Sequence, residues 1–157
     1  MKLGDPSLTE KRLDDLLMDY QRHSTEFNYD YEEVGWPRCA YTVSKVAVNA
    51  YTRILQRQLE EKGNFHSRHL KLNLFPTLLT EGRGGIVVNS IHPGSYHSKI
   101  TQDGDYATTP GEAAKSVVTT ALQPAGQIHP RGQFLLHDLT EVNWVNVTET
   151  GFGQMYR

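Results

Sequence analysis

Residues 36–51 read Trp36-Pro37-Arg38-Cys39-Ala40-Tyr41-Thr42-Val43-Ser44-Lys45-Val46-Ala47-Val48-Asn49-Ala50-Tyr51, and within them lies Tyr41-x-x-x-Lys45. On a helix, positions i and i+4 stand one above the other on the same face. This spacing therefore puts a phenol beside an ammonium. A phenol ordinarily ionises at about pH 10, and a fixed cation nearby favours the phenolate. A tyrosine so placed can give a proton to a carbonyl oxygen being reduced, or take one from an alcohol being oxidised. The spacing alone is weak evidence, because Tyr and Lys are common enough in this chain for a chance match. Its simplest alternative is a surface lysine one turn from a packed tyrosine.

The flanking pattern predicts a long amphipathic helix. Val43, Ala47, Ala50, Tyr51, Ile54 and Leu55 form a broad apolar face leading to Leu59. Pro37 suits the first turn, where its missing N–H costs nothing. Arg53, Arg57, Glu60, Glu61 and Lys62 read as solvated, and Gly63 as the stop. Upstream, Ser7-Leu8-Thr9-Glu10 reads as a capping box with Ser7 at the cap. Leu13, Leu16, Leu17 and Tyr20 follow as an amphipathic stripe. Glu26 to Gly35, with Phe27, Tyr29 and Tyr31 alternating, reads as a loop over the core or a short strand.

Downstream, Ile86-Val87-Val88-Asn89-Ser90-Ile91 is a β-branched run suited to a buried parallel strand. His92-Pro93-Gly94-Ser95-Tyr96-His97-Ser98 follows as a loop. Thr109-Pro110-Gly111-Glu112 is a second capping box with Pro at the first helical position, and the helix it opens runs to Leu122. Residues 132–137 make the final strand, and the tail from Thr148 reads as frayed. Within residues 64–85, Leu70, Leu72 and Leu74 alternate like a strand. That stretch could pair with an open sheet edge, be disordered, or be an artefact of how the coding sequence was assembled. His66 and His69, at i and i+3, have no third ligand nearby and are read as non-metal. Asn146-Val147-Thr148 matches a glycosylation acceptor by chance.

Composition bounds the rest. The 157 residues suit one domain, and 38% hydrophobic with 22% charged residues is ordinary for a soluble protein. A formal charge of −2 gives no footprint for nucleic acid or an anionic membrane. One cysteine, Cys39, excludes an internal disulfide framework and fits a reducing compartment. No apolar run approaches the ~20 residues of a membrane span. The expected location is the cytoplasm.

Taken in order, the Trp-Pro and Tyr-x-x-x-Lys helix, Asn89-Ser90-Ile91-His92-Pro93-Gly94, Thr109-Pro110-Gly111-Glu112-Ala113-Ala114 and Arg131-Gly132-Gln133-Phe134-Leu135 resemble the short-chain dehydrogenase/reductase family, most of all its carbonyl reductase branch. The resemblance covers residues 1 to about 63 and about 84 to 145. It implies an α/β fold, the C-terminal part of a Rossmann-like doubly wound parallel sheet, as a single partial domain over 1–157 interrupted by an insertion at 64–85. It implies NADPH as cofactor, a small-molecule carbonyl substrate, Tyr41 as proton donor, and Lys45 as the group that lowers the tyrosine's pKa and holds the nicotinamide ribose. Tyr41, Lys45, Pro93, Gly94, Tyr96 and Ser98 would line the cofactor. Ser98 keeps the hydroxyl that relatives place four residues after the loop glycine. Ser95 stands where relatives of this branch often carry a large aromatic. An extra helical segment before the catalytic tyrosine implies a monomer.

The family's opening βαβ unit has a Gly-rich turn that lets a pyrophosphate approach a helix N-terminus. No such turn precedes Tyr41 here, and Gly82-x-Gly84-Gly85 leads into a strand instead. The Asn-Asn-Ala-Gly segment and the serine that bonds the substrate carbonyl are also missing. The expectation is a carbonyl reductase by lineage that lacks its dinucleotide-binding half, is marginally stable and has no turnover alone. The other reading is a non-catalytic isoform or fragment that binds an intact relative through an open sheet edge.

Overall fold

The computed structural model describes residues 2–26, 30–31, 33–70, 86–94, 109–124 and 129–145, with side chains in the long helix described as far as Lys62. A 3-10 turn at Lys2–Gly4 leads to helix α1 (Glu10–His23), then α2 (Ala40–Leu70), strand β1 (Ser90–Ile91), α3 (Pro110–Ala121), β2 (Phe134–Leu135) and β3 (Glu141–Val142).

Helix α1 is capped by Thr9 rather than Ser7. The Thr9 hydroxyl accepts from the Arg12 amide at 3.2 Å. Ser7 is already engaged, its amide and hydroxyl both donating to Asp5 Oδ1 at 2.8 and 2.7 Å. A charged acceptor two residues upstream outcompetes a weaker local bond. The expected stripe holds: Leu13, Leu16 and Tyr20 are buried and Leu17 partly so. Tyr20 packs on Trp36 with ring centroids 5.2 Å apart, a tilted arrangement typical of aromatic pairs.

Helix α2 supplies the other wall of this core. Val43, Val46, Ala47, Ala50 and Ile54 recur at helical spacing and are buried with Leu3, Leu8, Phe134 and Trp144. Tyr51 is the exception to the expected apolar face, being 40% exposed. It lies one residue, about 100°, beyond Ala50, at the edge of the stripe. The helix also passes Gly63 and continues to Leu70. A glycine within a helix costs only about 1 kcal/mol, and seven further residues of helix outweigh it. The first part of the 64–85 insertion is thus helical, while the alternating Leu72 and Leu74 fall outside the described residues.

The sheet has order β1-β2-β3. As expected, β1 and β2 are parallel, with Ser90 opposite Phe134 and Ile91 opposite Leu135. The sheet is mixed, however, because β3 pairs antiparallel with β2. A tight turn makes this possible: Leu136 N donates to Thr140 O at 3.0 Å, Leu139 takes a φ of 67°, and Asp138 Oδ1 accepts from the Thr140 amide at 2.9 Å. The regular ladders are two residues per strand, shorter than the 86–91 and 132–137 runs expected.

Side chains lock the sheet to α2. Gln56 is buried; its Oε1 accepts from the Val88 amide at 2.8 Å and its Nε2 donates to Glu60 Oε1 at 3.0 Å. Asn89 reaches across to β2, accepting from the Gln133 amide at 3.0 Å and donating to Pro130 O at 2.9 Å. Gly132 sits where the two meet. Its φ is +63°, and an added Cβ would lie 3.3 Å from Gln56 Cβ. Gly132→Ala is expected to cost at least the roughly 1–2 kcal/mol of a left-handed non-glycine residue, read as a lowered urea midpoint with an unchanged slope.

Helix α3 opens as its sequence predicts. Thr109 Oγ1 accepts from the Glu112 amide at 3.3 Å, and Glu112 Oε2 accepts from the Thr109 amide at 3.1 Å. Only Ala113 and Ser116 of this helix are buried, whereas Val117 and Val118 are exposed, as is Leu122 at its C-terminal cap.

Candidate functional site

The first turn of α2 builds one side of the site. Cys39 O accepts from the Val43 amide at 3.1 Å, so the helix begins at Ala40. Pro37 therefore lies ahead of the first turn instead of within it. Tyr41 and Lys45 both point to solvent, Tyr41 being 60% exposed. Lys45 Nζ stands 5.2 Å from the Tyr41 ring centroid, within the range of a cation–π contact. The i, i+4 juxtaposition expected from sequence is present. Cys39 is exposed nearby, and hydrogen bonds from the Thr42 hydroxyl and amide hold its thiol below the ordinary range.

The carboxyl ends of β1 and β2 build the other side. His92 N donates to Leu135 O at 2.8 Å, extending the parallel ladder by one bond. Pro93 and Gly94 then turn away, Gly94 with a φ of +82°. The Gly94 amide donates to His92 Nδ1 at 3.1 Å. His137, from the end of β2, covers the other side of Gly94; a Cβ placed there would sit 3.6 Å from His137 Cγ. Burial holds the half-buried His92 below its ordinary value, and the charges of His137 and Lys45 push the same way.

Lys45 lies within electrostatic reach of His92, the residue that leads from β1 into Pro93 and Gly94. Tyr96 and Ser98 lie outside the described residues. So do the side chains of His66 and His69; among the described residues no group of three metal-ligating side chains occurs. Sequence reasoning passed over His92 and His137 as members of the site. The available signal was their position, His92 directly and His137 two residues past the carboxyl end of a strand, where ligands bind in open α/β sheets. A separate hollow of about 750 Å³ lies between the N-terminal turn and α1, lined by residues such as Asp5, Arg12 and Asp15. None of the described site residues lines it. No helix of the described residues is long and apolar enough to cross a membrane.

No protein-family model matches the chain. Individual proteins do. NADPH carbonyl reductase 3 of Homo sapiens is 34% identical over 139 residues, covering 88% of this chain and 42% of the reductase. Short-chain dehydrogenase/reductase 1 of Saponaria officinalis is 32% identical over 84% of this chain and 35% of its own length. Salutaridine reductase of Papaver bracteatum is 32% identical over 78% of this chain and 32% of its own length. The chain therefore spans about two fifths or less of the length of these relatives. On these matches the chain is similar, over most of its own length, to carbonyl reductases and other members of the short-chain dehydrogenase/reductase family.

Proposed function

We propose that the chain supplies the proton-transfer side of an NADPH-dependent carbonyl reductase, as part of a Rossmann-like sheet. The observation that carries this reading is the Lys45 ammonium over the Tyr41 ring on an open face of α2, with Lys45 in electrostatic reach of His92. Tyr41 gives its hydroxyl proton to the carbonyl oxygen as that oxygen gains charge. Lys45, exposed and cationic, holds the nicotinamide ribose and keeps the phenol's surroundings positive. NADPH, when bound, supplies the hydride. The partly exposed Pro93 and Gly94 face the nicotinamide end in this reading. The residues present suit that end: an ammonium, a phenol and a glycine whose backbone is free of a side chain of its own. They do not include a Gly-rich turn for the pyrophosphate before Tyr41, so the chain alone is expected to bind the nucleotide weakly and to turn over no ketone.

Adding NADPH to isotopically labelled chain should move the NMR signals of Tyr41, Lys45 and Gly94, and Lys45→Met should diminish the response. Shifts confined to residues around the Asp5–Arg12 hollow, with these three unmoved, would count against the assignment.

A second reading has its own observation. Strand β1 has no neighbour on its far side among the described residues, and an unpaired edge is a template for another strand. In that reading the chain binds an intact relative and has no catalytic role. Co-purification with a complete carbonyl reductase would favour it. A monodisperse monomer that ignores such a partner would rule it out.

A further inference from the structure

We propose that His92 is a positioning residue that sets the Pro93–Gly94 turn through its Nδ1 and releases that turn when it is protonated. The geometry begins with the 3.1 Å bond from the Gly94 amide to His92 Nδ1. An imidazole nitrogen accepts a hydrogen bond only with a free lone pair, and an imidazolium has none. The bond therefore exists in one protonation state of His92 and is lost in the other. Among the described residues no backbone carbonyl takes the Gly94 amide in its place. Gly94, at φ +82°, is in a conformation that glycine enters and leaves at little cost. The residue ahead of it is Pro93, which has no amide to donate.

The surroundings decide which state prevails near neutrality. Lys45 on α2 and His137 just past β2 both act on His92 electrostatically. Asp138, beside His137, is turned to the Thr140 amide and hydroxyl, which hold its carboxyl below the usual range. Partial burial of His92, and then the repulsion from His137 and Lys45, outweigh a hydrogen bond to its own backbone that favours the proton, so its pKa lies on the low side of 6.5. The sign follows: the turn is held at neutral pH and frees as pH falls below the ordinary histidine range. His92 is anchored independently through its own amide to Leu135 O. Protonation thus loosens the turn without unpairing β1 from β2.

The proposal concerns the loop assigned above to the nicotinamide end, and rests on that reading only for its consequence in catalysis. Its test needs no cofactor, so the two fail separately. In labelled chain titrated from pH 8 to 5, the Gly94 amide and the His92 ring should shift together, with a midpoint below 6.5. The Gly94 amide should exchange with solvent about fivefold faster, after correction for intrinsic rates, once that bond is lost. His137→Gln should move the shared midpoint upward by removing the repulsion that His137 contributes against the added proton. His92→Asn keeps an acceptor that can serve an amide two residues on but does not titrate, so Gly94 should become insensitive to pH. A Gly94 amide that ignores pH in the native chain would overturn the proposal. So would one that titrates unchanged in His92→Asn.

Discussion

Ile54→Ala should remove about 2–5 kcal/mol of folding stability, the largest loss expected from any single substitution considered for this chain. Ile54 is 2% exposed and sits in the cluster that joins α1, α2, β2 and Trp144. Truncating it strips apolar contacts and leaves a void that rigid helix backbones cannot fill. Alanine is the better helix former, but that gain is at most about 0.7 kcal/mol and cannot offset the cavity. A whole domain has roughly 5–15 kcal/mol to lose. A chain whose described strands pair over only two residues each is expected to have less in reserve. Urea unfolding followed by far-UV circular dichroism should show a mostly unfolded variant or a midpoint lowered by the full amount. Val117→Ala, at a 47% exposed position on α3, should change stability by under ~0.5 kcal/mol. Equal effects from the two would mean that the α1–α2 interface is not the core.

Tyr41→Phe should lower carbonyl reduction by about 10²–10⁴-fold, the usual worth of a positioned general acid. The measurement needs a hydride source held in place, so it is best made on a fusion in which a dinucleotide-binding segment from a carbonyl reductase precedes this chain. Oxidation of NADPH with a simple quinone is then followed by absorbance. The phenyl ring keeps the stacking surface for Lys45 and removes only the hydroxyl, so folding should be unaffected. Lys45→Met should weaken nucleotide binding as well as turnover, because the ammonium is proposed to serve both. A fusion that reduces the quinone equally well with and without the Tyr41 hydroxyl would end the catalytic assignment.

What was legible in the sequence was local. The Tyr–Lys spacing, the Leu13–Tyr20 stripe and the Thr109 capping box each depend on residues within two turns of one another, and each is found as read. The misreadings came from competition that a short window does not contain. Ser7 lost its capping role to Asp5, and Gly63 failed to stop a helix that continues beyond it. Strand β3 is two residues long and is made by the turn at Leu139, so it leaves no alternation to detect. His92 and His137 are 45 positions apart, and only the parallel pairing of β1 with β2 brings them to the same glycine. A contact that depends on sheet register cannot be seen until the register is known.

Cys39 makes the site convenient to observe. It is the chain's single cysteine, it is exposed, and its thiol is more acidic than usual because Thr42 hydrogen-bonds it. The thiolate is the form that alkylates, so a maleimide fluorophore should attach at this one place without mutagenesis. The dye would then sit two residues from Tyr41, where its emission reports whatever docks beside the hydroxyl.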